Sequence, residues 1–276
     1  MTRTGVMILA GALLAAQVHA QLADEFNVPA ANCCLWNAAR SLADQLQDWN
    51  QLGRYHAANE ALKKQPAQPG RVVFMGDSIT DFWRLDEYFP GQPYVNRGIG
   101  GQTTPQMLVR MYPDVIELKP AAMVLLAGTN DIARNTGPST AEMVQHNIMA
   151  MSDLARQNGI KVVLCSILPV SDYAFLAQER AGGPPAAARG GGPGRGPMPR
   201  MRMTTNHPAE DILKLNAWMQ QYAQRVNAIY VDYFSAMVDE KGWLKESLAN
   251  DGLHPNAEGY KIMAPLVSAA IQKALR

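Results

Sequence analysis

The chain is poor in cysteine, with three in 276 residues, at positions 33, 34 and 165. An odd count excludes a framework in which every cysteine is paired within the chain, and leaves at least one thiol free or paired between chains. Adjacent Cys33 and Cys34 can bridge one another only with strained geometry. A bond from either to Cys165 stays open, although Cys165 lies in an apolar run and reads as an inert core thiol. Net charge is equally scarce: 25 Lys and Arg against 24 Asp and Glu leave +1, and loss of Arg3 with a leader brings it to zero. No basic surface for nucleic acid or an anionic membrane is expected. Long hydrophobic runs are missing too. The longest, Val6 to Val18, has thirteen residues, whereas a bilayer span takes about 20, so no stable membrane insertion is expected. There is no His-Glu-x-x-His segment, and His56, His146 and His207 share no ligand spacing, so no metal site is expected. No internal repeat is evident.

Hydrophobic residues make up 47 % of the chain, enough to bury the core of one large α/β domain. Residues 1–20 read as a signal peptide. Arg3 provides the basic start, the apolar run follows, and Val18-His19-Ala20 is a small-residue cleavage site. The mature chain then begins near Gln21 and is exported, to the periplasm or beyond. Residues 21–70 form an N-terminal arm. Over 37–66, Leu42, Leu46, Trp49, Leu52 and Tyr55 recur at helical spacing and predict a helix packed on the domain, ended by Pro66, Pro69 and Gly70.

Five strands are expected at Val72–Met75, Tyr94–Asn96, Met123–Ala127, Lys161–Ile167 and Ala228–Val231. Three of them are apolar without alternation, as strands buried on both faces are. Helices are expected near Pro105–Leu118, Thr140–Asn158, Ala209–Val226 and Asn256–Leu275, with Gly159 as a C-terminal cap, Asn256 as an N-cap, and Pro265 as a point of possible kinking. Strand–helix alternation implies a parallel sheet with helices on both sides. Within 71–276, residues 181–202 stand apart. They are rich in Gly, Pro and Arg and are expected to form a mobile surface loop. It reads as a tolerated insertion, or else as a lid or a contact to an anionic polymer.

Four segments carry chemistry. Val72 to Met75 leads into Gly76-Asp77-Ser78, which puts a hydroxyl at a strand end where a helix begins. Taken alone, Ser78 reads more readily as a helix N-cap. The surroundings are not Gly-x-Ser-x-Gly, which argues against a nucleophile elbow. Asp251-Gly252-Leu253-His254-Pro255 offers a general base with a carboxylate three residues before it. Asn96-Arg97-Gly98-Ile99-Gly100-Gly101 and Gly128-Thr129-Asn130-Asp131 follow the second and third strands. They offer a backbone N–H at Gly101 and a side-chain amide at Asn130 as oxyanion donors.

In this order the four segments resemble the four blocks of the SGNH (GDSL-type) hydrolase superfamily over roughly residues 70–275. Ile79 replaces the Leu of the family name. Asn96 to Gly101 and Gly128 to Asp131 resemble the branch similar to platelet-activating-factor acetylhydrolases. The resemblance implies a flavodoxin-like three-layer α/β/α sandwich with a five-stranded parallel sheet, ester hydrolysis and no cofactor. It also implies Ser78 as nucleophile, His254 as base, Asp251 as its partner, and the Ser78 and Gly101 N–H groups with the Asn130 amide as oxyanion hole. The loops after the strands are expected to line the pocket. Asp77, Trp83, Arg134 and Val170 are the substrate-binding candidates, and Asp81, Phe82, Gln102, Thr103, Ile132 and Asn135 lie in the same loops. The expected substrate is a small-molecule or polysaccharide ester, an acetylated extracellular glycan above all. A lysophospholipid-type acyl ester is the alternative, and a non-catalytic carbohydrate-binding protein on the same scaffold is a third reading.

Overall fold

A computed structural model of the chain describes residues 43, 46–66, 68–181 and 202–276. The expected leader, Cys33, Cys34 and nearly all of the 181–202 insert lie outside the described residues. Five parallel strands form one sheet in the order β2-β1-β3-β4-β5. They are β1 (Val72–Gly76), β2 (Tyr94–Gly98), β3 (Ala122–Leu126), β4 (Lys161–Cys165) and β5 (Ile229–Val231). Each boundary lies within two residues of the sequence expectation.

Alternation along the strands divides the core in two. Val72 and Phe74, with Val124, Leu126 and Cys165, point to one face, which also holds Tyr260, Met263 and Val267. Val73 and Met75, with Met123, Leu125 and Leu164, point to the other, which holds Ile148, Met151, Leu215 and Met219. Burying each such side chain contributes about 1.5–3 kcal/mol relative to exposure, so both helical layers are held by the same sheet. The longer helices are α1 (His56–Lys63), α2 (Thr104–Val109), α3 (Ala141–Gln157), α4 (Tyr173–Arg180), α5 (Ala209–Arg225) and α6 (Ala257–Ala274). Helix α6 covers the Phe74 face, and α3 and α5 cover the Met75 face. The result is a three-layer α/β/α sandwich.

Local signals act as expected at several helix ends. Asn256 accepts from the N–H groups of Glu258 and Gly259 at 3.0 and 3.1 Å. Thr140 accepts from Met143 N at 3.2 Å. Gly159 takes φ +74° just beyond α3, a left-handed turn that suits glycine. Helix α6 runs through Pro265 without interruption.

Two expectations need correction. The helix expected over 105–118 is three pieces: α2, a turn at Met111–Asp114 and a 3-10 turn at Ile116–Leu118. Pro113 has no N–H to donate to Val109, and its ring disfavours helical backbone before it. In the arm the expected helix is interrupted: Ala43, Leu46 and Gln47 are helical, and α1 starts only at His56. Ahead of it the Asp48 carboxylate captures Leu52 N at 2.7 Å and Gly53 N at 2.8 Å, and Gln51 is left-handed at φ +56°. A short acidic side chain has thereby out-competed the helix for backbone donors. Leu46 and Trp49 are exposed, so the arm is not fastened by the apolar stripe its spacing implied. Instead Gln102 Nε2 donates to Asn50 O at 2.9 Å and Gln106 Nε2 to Trp49 O at 2.6 Å.

Candidate functional site

Strand β1 lies between β2 and β3, where the direction of chain progression across the sheet reverses. Crevices beyond the strand ends at such a point are where open α/β sheets bind ligands. Ser78 begins a single helical turn, Ser78–Asp81, directly after β1. As the first helical residue it has no intrahelical partner for its N–H. The turn is tied down from two sides. Asn96 of β2 donates to Thr80 O at 2.6 Å and Trp83 O at 2.9 Å, and Tyr260 of α6 donates to Ile79 O at 2.8 Å. Gly98 permits the close approach, because a Cβ there would lie 2.1 Å from Asp81 N.

The Asp251–His254 loop reaches Ser78 from the far end of the chain. Ser78 Oγ is 2.9 Å from His254 Nε2, and His254 Nδ1 is 2.6 Å from Asp251 Oδ2. The other oxygen, Asp251 Oδ1, accepts from Leu253 N at 2.9 Å and His254 N at 2.8 Å, so one carboxylate shapes the loop and orients the ring. Partial burial pushes the Asp251 carboxyl up, but the His254 ring and these backbone donors outweigh it and bring it down to about 2. It is therefore ionised at neutral pH and holds a proton on Nδ1, leaving Nε2 to accept from the serine. The loop packs closely on the chain beyond β4. Gly252 has φ +85°, and a Cβ would fall 2.1 Å from Ser171 O, while Ser171 N donates to Gly252 O at 2.8 Å.

Asn130 sits in the turn Thr129–Ile132 after β3. Its Nδ2 donates to Gln102 O at 3.0 Å, which places it against the Gly100–Gln102 loop. A Cβ on Gly100 would lie 3.7 Å from Ser78 Cβ, so that loop adjoins the serine. Asp131 fastens the two loops by accepting from Thr104 N at 2.9 Å and Thr104 Oγ1 at 2.6 Å. Burial raises its carboxyl against these bonds.

The four substrate-binding candidates are placed otherwise. Asp77 is fully buried, and its Oδ1 accepts from Ile79 N at 2.9 Å. It caps the serine turn and presents nothing to a ligand. Burial pushes it up to about 6, despite the Ile79 bond and the nearby His254. Trp83 is 3 % exposed and stacks on Tyr260 at 5.2 Å, with Phe74 edge-on at 5.8 Å. It belongs to the core because Ile79 and Trp83, four residues apart, share the inner face of the turn. Its neighbour Phe82 has the outward place, 56 % exposed with its ring 5.3 Å from that of His254. Ser78 and Phe82 have the same spacing, so helical periodicity carried the signal that adjacency did not. Val170 is buried, and its carbonyl accepts from Leu244 N at 3.1 Å. Arg134 is exposed and lines a small cleft with Thr140, Asp211 and Lys214, which includes neither Ser78 nor His254. Among the described residues, no three His, Cys, Asp or Glu side chains cluster as a metal site, and no helix is long and apolar enough to cross a membrane.

This combination of sheet, serine turn and histidine loop defines an α/β acylhydrolase architecture. The chain belongs to the GDSL-like lipase/acylhydrolase family, whose model matches residues 74–262. A solved GDSL-like lipase from Bacteroides thetaiotaomicron VPI-5482 is 36 % identical, with a TM-score of 0.68, over 82 % of this chain and 99 % of that one. An acetylxylan esterase of Xylanibacter ruminicola is 26 % identical over 225 residues, 73 % of this chain and 43 % of the esterase. A lipoprotein of Bacillus subtilis is 30 % identical over 118 residues, 36 % of this chain and 49 % of the lipoprotein. The chain thus spans less than half the length of these two curated relatives.

Proposed function

We propose that the chain is an exported serine ester hydrolase that removes short acyl groups, acetyl above all, from a carbohydrate or similar extracellular ester. Residues 1–20 are then the leader, 21–70 an arm, and 71–276 the catalytic domain. The observation that carries the reading is the hydrogen-bonded chain from Ser78 Oγ through His254 to Asp251, at 2.9 and 2.6 Å. In the first step Ser78 Oγ attacks the ester carbonyl carbon as its proton passes to His254 Nε2. The carbonyl oxygen becomes an oxyanion held by the N–H groups of Ser78 and Gly101 and the Asn130 amide. Collapse breaks the ester C–O bond, and the proton on His254 goes to the leaving alcohol. Water then gives a proton to His254 and attacks the acyl-enzyme, which releases the acid and restores Ser78.

The carbohydrate part of the proposal is supported by the likeness to an acetylxylan esterase and by Phe82, whose exposed ring beside His254 offers an apolar face on which a sugar could rest. Export is supported by the pattern of residues 1–20 and by the likeness to a lipoprotein. The test is hydrolysis of p-nitrophenyl acetate, butyrate and octanoate by the full chain and its Ser78→Ala variant. Turnover is expected to fall steeply with acyl length and to vanish in Ser78→Ala. Turnover that holds or rises with length points to a lipid-type acyl site. Equal glycan binding by both proteins, with no ester turnover by either, overturns the enzymatic reading.

A further inference from the structure

The segment after β3 contains a device that the hydrolytic scheme leaves unused. Beyond the Thr129–Ile132 turn, Arg134 adopts left-handed backbone at φ +59°, a conformation that is uncommon for a side chain of this size. The reversal sends the chain back over its own start, so that Asn135 N donates to Asn130 O at 3.0 Å. The side chain follows the backbone. Asn135 Nδ2 donates to Asn130 Oδ1 at 2.7 Å and to Gly101 O at 3.3 Å. One exposed amide therefore touches both segments to which the oxyanion donors are assigned. Beside it, Thr103 Oγ1 and Thr136 Oγ1 are 2.8 Å apart and join the same two loops.

These contacts determine which way both amides face. A backbone carbonyl only accepts, so Gln102 O requires the NH2 end of Asn130, and Gly101 O requires the NH2 end of Asn135. Asn130 Oδ1 is then turned towards Asn135 and needs a donor, which Asn135 supplies. One N–H of Asn130 is used on Gln102, and the second is left for a substrate oxygen. Without Asn135 the Asn130 oxygen loses its partner. The amide is then held by the Gln102 bond alone, so its free N–H is aimed less firmly at an oxyanion.

We infer that Asn135 is a positioning residue for the oxyanion site: it locks the amide of Asn130 and fastens it to the Gly101 segment, so that both donors converge on one point. The inference rests on the serine-hydrolase reading above. Asn135 touches no reacting atom and acts through Asn130. Because it is exposed, its replacement should leave folding nearly unchanged, which makes activity the informative readout.

The experiment measures kcat and KM for p-nitrophenyl acetate, with Tm, on the full-length wild type and on Ser78→Ala, Asn130→Ala, Asn135→Ala, Asn135→Asp and the Asn130→Ala/Asn135→Ala double variant. Removing an oxyanion donor lowers kcat by about 10²–10³, and loosening one should cost less, about 10-fold in Asn135→Ala, with KM little changed. Asn135→Asp, which keeps the size but replaces a donor with an acceptor, should fall further. In the Asn130→Ala background, Asn135→Ala should cost much less than in the wild type, since the amide it positions is gone and only its 3.3 Å contact to Gly101 O remains. An unchanged kcat in Asn135→Ala overturns the inference. So does a loss confined to KM, or the same fold-loss in both backgrounds. If wild-type turnover survives in Ser78→Ala, the hydrolase reading fails and the inference with it. Serine-dependent turnover that is indifferent to Asn135 removes the positioning role alone.

Discussion

Ser78 and His254 are 176 positions apart in the chain and 2.9 Å apart in space. Short-range rules made each of them recognisable as a type of residue, and none stated that they meet. The residue beside the serine carries a testable consequence. Asp77 is sealed from water with one carboxylate oxygen lacking any partner, and its carboxyl is raised from 3.8 to about 6 by burial. The folded state therefore binds this proton more tightly than the unfolded chain. The stability it contributes is fully present below pH 3.8 and is lost as pH rises through about 6. A shift of this size corresponds to on the order of 3 kcal/mol. Asp77→Asn keeps the acceptor for Ile79 N and removes the titration. In urea denaturation from pH 3.5 to 7, the wild type should lose stability relative to this variant across that window. A parallel pair of curves would exclude the effect. Trp83 and Phe82 teach a related lesson at the same scale. The segment was legible as the wall of a site, but which of two adjacent aromatics faces outward depended on the phase of the helical turn.

Among the elements, the loop after β2 depends on a buried polar cluster that no motif announced. Arg110 has no exposed surface. It donates from Nε to Gln102 Oε1 at 2.6 Å, to Asp114 at 2.9 Å, and to Gly76 O at 3.0 Å. Burial pulls its pKa down against the pull of Asp114. Asp114 also accepts from Asn59 of α1 at 2.6 Å, and Asn59 Oδ1 accepts from Arg97 Nε at 2.9 Å. Tyr55 donates to Gly98 O and lies 4.6 Å from the Arg97 guanidinium. The arm, the end of β1 and the Gly101 loop are thus one hydrogen-bonded unit. Arg110→Met should destabilise the protein by about 3–5 kcal/mol, since it leaves the Asp114 carboxylate buried without its ion-pair partner. Chemical denaturation measures it, and a change below about 1 kcal/mol would mean that water or rearrangement replaces the guanidinium. Residues 50–114 gave no sign of this cluster because Asn, Gln and Arg at irregular spacing look like a solvated surface until burial is known.

At the scale of the whole molecule, one sheet supplies both apolar cores through the alternation of the same five strands. Neither layer can separate without exposing strand residues that serve the other, so unfolding should be a single cooperative transition. Trp83 belongs to one core, and Trp218 packs against the other. Midpoints from tryptophan fluorescence and far-UV circular dichroism should coincide, and separated midpoints would show that the layers unfold independently. The five strands and their parallel sheet, the helices α3, α5 and α6, and the four chemistry-bearing segments were legible in the sequence alone. Apolar runs, turn residues and caps act over a few neighbours, and their pattern survives in one dimension. What only the tertiary structure decided was the meeting of parts: the 2.9 Å contact between Ser78 and His254, the burial of Asp77, Trp83 and Val170, the capture of Asn130 by Asn135, and the seating of the arm on Gln102 and Gln106. These depend on burial and on contacts between distant segments. Both are properties of the packed whole that local residue preferences do not encode.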